Sequence, residues 1–262
     1  FEGCFIVNDY TVDIKTKKPY PLVLNMATYF FAMDSKFYTG TDANGQPKDM
    51  ILKVGESFAL NNASGTGPFI VTKREHNVVL EMKRNPSYWD TNSPGNVGTF
   101  ILTPIKENAT RVAALLSGDV DFISPLPPQD FNRIESDDKL KLVLINGGRI
   151  ITFQMNQNRQ PAFKDVRVRQ AIVHAVNNPG IVQKIMKDKA TVAAQQGPDG
   201  YAGYKANLTP RYDLEKAKAL MAEAGFAEGL EITMMAPNNR YVNDAKIAEA
   251  TAQMLGKIGI KV

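Results

Sequence analysis

The chain has 262 residues, of which 44% are apolar and 22% charged, with a net charge of +4. These values lie near the globular average, which sets aside collagen, coiled coil and disorder and leaves room for one large domain or two ordinary ones. A single cysteine, Cys4, excludes an internal disulfide framework and a multi-cysteine metal site, and the small, dispersed basic excess argues against a nucleic-acid face.

The opening run Phe1-Glu2-Gly3-Cys4-Phe5-Ile6-Val7 has neither a basic segment nor a cleavage site. It reads as mid-strand, so a true N-terminus elsewhere is expected. No apolar run approaches the roughly twenty residues of a bilayer-spanning helix. Residues 10–14 alternate in polarity and predict a strand, ended by Pro19 and Pro21. Residues 22–33 are apolar and aromatic and predict a helix. Loops follow at 39–47 and 61–68, then a hairpin of strands 69–74 and 78–83. Tyr88 and Trp89 follow a turn, and core packing is the expectation for both. A strand is predicted over 100–105. Asn108 is placed as the cap of a helix through Ser117, with Val112, Leu115 and Leu116 on one face and Gly118 as the stop. Strands are predicted over 120–123, 140–145 and 150–155, with a short helix near 129–135 between the first two.

The polar stretch Asn156-Gln157-Asn158-Arg159-Gln160-Pro161 separates a strand-rich part from a helix-rich part, and a domain boundary is expected there. From Asp165 the pattern is helical, with Val168, Ala171, Ile172, Ala175 and Val176 on one face. Pro179 suits the first turn of the next helix, over 180–187. Residues 195–209 lack a period and read as a long loop. Asp213 caps a helix over 214–224 whose inner face is Leu214, Ala217, Met221 and Ala224, and Gly225 ends it. A strand over 231–236 precedes a helix over 244–257, with Ile247, Thr251, Leu255 and Ile258 on one side. Ile260-Lys261-Val262 begins another strand.

Catalytic patterns are not legible. His76 falls in a hairpin turn and His174 in mid-helix, neither with ligands at metal spacing. There is no nucleophile elbow and no Walker loop. Gly65-Thr66-Gly67-Pro68 reads as a turn because a strand, not a helix, follows it. Asp119 and Asp121 read as a helix stop and strand edge. Arg167 and Arg169 read as solvated charge. The sequons at Asn62, Asn108 and Asn207 are expected by chance.

Five segments in order say more: Gly65-Thr66-Gly67-Pro68-Phe69; Arg84-Asn85-Pro86-Ser87-Tyr88-Trp89; Leu116-Ser117-Gly118-Asp119-Val120-Asp121; the run from Pro161 through Asp165-Val166-Arg167-Val168-Arg169-Gln170-Ala171-Ile172; and Tyr212-Asp213-Leu214-Glu215-Lys216-Ala217-Lys218-Ala219-Leu220-Met221 through Gly225-Phe226. Together they resemble the family 5 extracellular solute-binding proteins, the oligopeptide, dipeptide and nickel receptors of ABC importers. Asn177-Asn178 departs from the family's Asp-Arg at a helix cap.

The resemblance implies an α/β fold of the periplasmic-binding-protein class II, two lobes with mixed sheets, incomplete at both ends. Residues 1–153 would be part of lobe I, lacking its N-terminal portion, and 154–262 the N-terminal half of lobe II. It implies a solute-binding component that captures a peptide or similar small solute and delivers it to ABC permease subunits. An extracytoplasmic sensor, or an enzyme on the same scaffold, is the alternative. No catalytic residue, cofactor or metal is expected. A monomer is expected, periplasmic or lipid-anchored on the extracytoplasmic face, with no nucleic-acid partner.

Two segments are the candidate ligand contacts. Residues 149–156 resemble the first crossing between lobes. Strand geometry there puts Thr152, Gln154 and Asn156 on one face, toward the cleft, and Ile151, Phe153 and Met155 on the other, toward the core. Ile123, Ser124, Pro125 and Leu126 lie where a predicted strand leaves its sheet, and ligands of open α/β sheets gather at such ends. The resemblance places a ligand-lining loop there too. An extended peptide could pair with this backbone, except that Pro125 lacks a donor.

Overall fold

A computed structural model describes residues 1–49, 57–92 and 95–262. Two compact units divide the chain, Phe1–Pro104 and Ile105–Val262. The boundary expected near 153 falls inside the second of them.

The first unit opens with the antiparallel pair β1 (Gly3–Asn8) and β2 (Thr11–Lys15). Short helices follow: α1 (Val23–Ala27), α2 (Ser35–Tyr38) and α3 (Phe58–Asn61). The helix expected over 22–33 is confined to α1, which has no side-chain N-cap and no buried residue. An apolar run without a surface to bury it against does not sustain a helix of this length. An antiparallel sheet is formed by β3 (Phe69–Glu75), β4 (Val79–Arg84) and β5 (Thr99–Leu102), in that order. The expected hairpin is present, and Asn77 supplies the positive φ of its turn (60°). The register slips between Val71 and Lys73, and the Thr72 hydroxyl donates to the Glu81 carbonyl across the slip. Trp89 corrects the core expectation: it is 74% exposed, tilted against a half-buried Tyr88 with ring centroids 5.5 Å apart.

The second unit begins with α4 (Asn108–Ser117). Its N-cap is Glu107, so Asn108 is the first helical residue and uses its side chain on Arg111 instead. Gly118 ends the helix at φ 83°, a left-handed turn that costs glycine little. Ser117 Oγ donates to Asp119, consistent with a structural stop. A 3₁₀ turn, Pro128–Asp130, leads into α5 (Phe131–Glu135), which buries Phe131 and Ile134.

The strands expected over 120–123, 140–145 and 150–155 do not form ladders among the described residues. Val143, Leu144, Ile145, Ile151 and Phe153 are all exposed. Alternation specifies which side of an extended chain is apolar; it does not supply the neighbouring strand that a ladder needs.

The helical part follows the sequence pattern closely. A 3₁₀ turn, Pro161–Lys164, precedes α6 (Val166–Ala175), and Asp165 caps α6 by accepting the Arg167 N–H at 2.8 Å. Then come α7 (Asn178–Lys184), capped by Asn177 through the Gly180 N–H, and α8 (Leu214–Glu223), capped by Asp213 through the Lys216 N–H. Two-residue strands β6 (Leu230–Glu231) and β7 (Ile260–Lys261) pair in parallel around α9 (Asp244–Gly256). The strand expected over 231–236 is thus shorter, extended only by the Ile232 N–H to the Lys261 carbonyl.

The core of this unit lies between α6, α8 and α9. Val168, Ala171, Ala175, Ala217 and Met221 are buried there, with Leu255, Ile258 and Ile260. Alanines at 171 and 217 let α6 and α8 approach closely, and Met221 fills the space beyond them. Arg167 and Arg169 are not simply solvated. Arg167 chelates Asp165 and donates to the Glu223 carbonyl at the end of α8, while Arg169 donates to the carbonyls of Phe163 and Lys164. Met221→Ala is expected to cost about 2–5 kcal/mol in urea unfolding; a loss under about 1 kcal/mol would mean that this core is not close-packed.

Candidate functional site

The segment Ile123–Leu126 is held from one side by a buried arginine. Arg111, 8% exposed, projects from the first turn of α4. Its Nε donates to the Pro125 carbonyl at 3.0 Å, and its Nη1 donates to the carbonyls of Ile105 at 2.8 Å and Lys106 at 3.4 Å. Nη2 donates to Asn108 Oδ1. Among the described residues no carboxylate shares this site; backbone carbonyls and the Asn108 amide oxygen receive the charge. The consequence is a fixed Pro125 backbone with the side chains on either side left outward. Ser124 and Pro125 are exposed, and Ile123 and Leu126 are half-buried. The Ser124–Pro125 peptide is cis.

Thr152 and Gln154 are exposed, as the polar-face expectation requires. Asn156 is exposed too, but its Oδ1 accepts the N–H groups of Asn158 and Arg159 at 3.0 and 3.1 Å. It therefore works first as the head of a turn. That turn is pinned by Gln160, whose Nε2 donates to the Glu231 carbonyl at 2.9 Å. The apolar face fares unevenly. Met155 packs on the helical core, whereas Ile151 and Phe153 stay 42% and 39% exposed. Among the described residues, no hydrogen bond joins 123–126 to 152–156.

Beside Met155 lies a shallow groove of about 270 Å³ along α6, lined by Val166, Arg169, Gln170, Val173, His174 and Arg211. Of its polar members, Arg169 donates to two carbonyls and His174 meets the Arg211 carbonyl through Nδ1. The first unit has its own groove of about 420 Å³ between α3 and the β3–β4 hairpin, with Tyr38 and His76 at its wall.

One ordered corner had no signal in the sequence. Arg149 and Arg240 come from distant segments and both reach the ring of Tyr241, at 5.0 and 5.3 Å from its centroid. The turn that carries Arg240 and Tyr241 is clamped by Asp244, 7% exposed, whose Oδ2 accepts both their N–H groups at 2.9 and 3.0 Å. Burial pushes the Asp244 pKa up, but the N–H groups of Tyr241, Arg240 and Ala245 outweigh it and hold the carboxyl below its ordinary 3.8.

Comparison with known proteins places the chain. Its structural neighbours define the class, the class II periplasmic-binding fold. Residues 2–262 match the family described as bacterial extracellular solute-binding proteins, family 5 middle, and the chain belongs to that family. It is 29% identical to the dipeptide-binding protein of Escherichia coli over 261 residues, covering 97% of this chain and 46% of that protein. Among solved structures it is similar to the periplasmic binding protein DppA of Helicobacter pylori in complex with the peptide STSA. There the TM-score is 0.65 and the identity 26%, over 76% of this chain and 38% of that one. It also superposes on NikZ of Campylobacter jejuni in complex with Ni(L-His), with a TM-score of 0.77 over 99% of this chain and 52% of that one. At 22% identity, that likeness bears on the fold. The chain spans about half the length, or less, of the relatives it matches.

Two outcomes follow from this geometry. Arg111→Met should cost about 2–3 kcal/mol in chemical denaturation, because it strands carbonyls that now accept from a charged donor. Arg111→Lys should recover only part, since an ammonium cannot reproduce the fork; full recovery by lysine would show that charge, not geometry, holds Pro125. For Asp244, the lowered pKa means its contribution is complete above 3.8 and is lost as pH falls through the lower folded value. The stability gap between wild type and Asp244→Asn should be constant at neutral pH and shrink below that range. A gap unchanged down to about pH 2 would contradict the assignment.

Proposed function

We propose that the protein carrying this chain is the solute-binding component of an ABC importer. It takes a peptide or similar small solute between two lobes and delivers it to permease subunits in the membrane. The observation that carries this reading is the family match running without a break from residue 2 to 262. The solutes named for two of the similar proteins, a dipeptide and the peptide STSA, share an amino-acid backbone. That favours a ligand with amino and carboxylate groups.

In this reading the lobes are residues 1–153 and 154–262, and 149–156 is the first crossing between them. Thr152 and Gln154 offer the solute exposed hydroxyl and carboxamide groups, and Asn156 the end of its turn. Ser124 offers a hydroxyl on backbone that Arg111 holds still, with Ile123, Pro125 and Leu126 as apolar contacts. Holding the contacts in place before binding reduces the ordering cost that binding must overcome. Closure is a shift between open and closed populations, driven by a ligand that touches both lobes. The reading is non-catalytic, as membership of a family of solute-binding proteins implies. The protein works as a monomer outside the cytoplasm, in the periplasm or held to the membrane by a lipid.

The test uses the protein expressed from its complete reading frame, unfolded and refolded to strip bound solute. Thermal shift followed by calorimetry is run against di- and tripeptides and nickel–histidine. One of these should bind saturably at 1:1, and Gln154→Ala should weaken it about 5-fold, the worth of one neutral hydrogen bond near 1 kcal/mol. Turnover of the solute, or no saturable binding across the panel, would overturn the proposal.

A further inference from the structure

The corner at Tyr241 is built for an anion. We propose that Arg149 and Arg240 form a carboxylate-binding site, separate from Thr152, Gln154 and the 123–126 segment.

Among the arginines of the second unit, Arg111, Arg167 and Arg169 commit their guanidinium N–H groups to carbonyls or to Asp165. Among the described residues Arg133, Arg149, Arg159, Arg211 and Arg240 have neither a side-chain hydrogen-bond acceptor nor an acidic partner, and of these Arg149 and Arg240 meet on one aromatic ring. Both are exposed, while Tyr241 between them is half-buried. Two like charges on one ring repel, and the attraction of each for the ring face offsets only part of that. An isolated surface arginine needs no explanation. Two that converge from distant segments on one fixed ring, with every fork donor open, place a concentrated positive field where an anion can accept from both.

The support beneath them is rigid. Asp244 holds the Arg240 and Tyr241 N–H groups from below, and Asn243 takes a left-handed conformation at φ 54° and donates from Nδ2 to the Ile185 carbonyl at 2.9 Å. The Asp244 charge does not compete for the guanidinium groups, because both its oxygens receive backbone N–H groups. Next to Arg149, the phenol of Tyr201 lies against the backbone of Gly148, where a Cβ would stand 2.5 Å from its oxygen. A side chain at position 148 would displace the Tyr201 phenol, which lies exposed beside the chain next to Arg149. A planar carboxylate fits the fork geometry; a neutral amide of the same shape lacks the charge.

The experiment titrates the protein with glutarate and with glutaramide at low ionic strength by calorimetry. The same titration is repeated on Arg149→Gln, Arg240→Gln and Arg149→Lys, with thermal melting as the folding control. Glutarate should bind saturably at 1:1 and glutaramide not at all. Each glutamine variant should weaken glutarate at least 10-fold with its melting temperature unchanged, and Arg149→Lys should restore only part. Equal binding of the two probes, no saturable glutarate binding, or glutamine variants that bind as wild type would overturn the proposal. The peptide panel reads a different site, so loss of glutarate binding with retained peptide binding sinks the corner alone, and the reverse result sinks the receptor reading alone.

Discussion

Arg111 gives its guanidinium N–H groups to the carbonyls of Ile105, Lys106 and Pro125, and that one buried charge sets the geometry of the segment proposed to touch solute. Taking a guanidinium out of water is costly unless each donor finds an acceptor. Here the acceptors are backbone carbonyls on both sides of α4, so satisfying the charge and fixing the chain are the same event. Were the acceptor a carboxylate side chain, its rotamers would allow the loop to shift; carbonyls carry the loop with them.

The same economy recurs at Asp244. A buried charge is satisfied by the backbone N–H groups of a turn, and the turn becomes rigid as a result. Between these fixed points the helical core of α6, α8 and α9 supplies the apolar burial. Its exclusion of water from residues such as Val168, Ala171 and Ala217 is what makes the local caps at Asp165, Asp213 and Asn177 effective.

Much of this was legible in the sequence wherever the signal was local. The Asp213 cap, Gly118 and Gly225 as helix stops, and the face Ile247, Thr251, Leu255, Ile258 follow from local sequence alone, and each is found in place. What failed needed a partner that spacing does not reveal. Residues 140–145 and 150–155 have strand chemistry but no ladder, residues 22–33 keep only one short helix, and Trp89 lies open. Of the candidate contacts, Thr152, Gln154 and Ser124 are exposed, whereas the turn-forming role of Asn156 and the anchoring role of Arg111 were not visible. A side chain that binds carbonyls from two separate segments leaves no period or motif behind. The Arg149–Tyr241–Arg240 corner was hidden for the same reason, since its members meet only in the fold.

Residues 123–126 and 152–156 are proposed to contact one solute. Amide hydrogen exchange of the refolded protein, with and without the peptide that binds in the thermal panel, tests this directly. Exchange should slow in both segments at once, Pro125 aside, as that peptide saturates. Protection confined to one segment, or to neither while another region is protected, would contradict it.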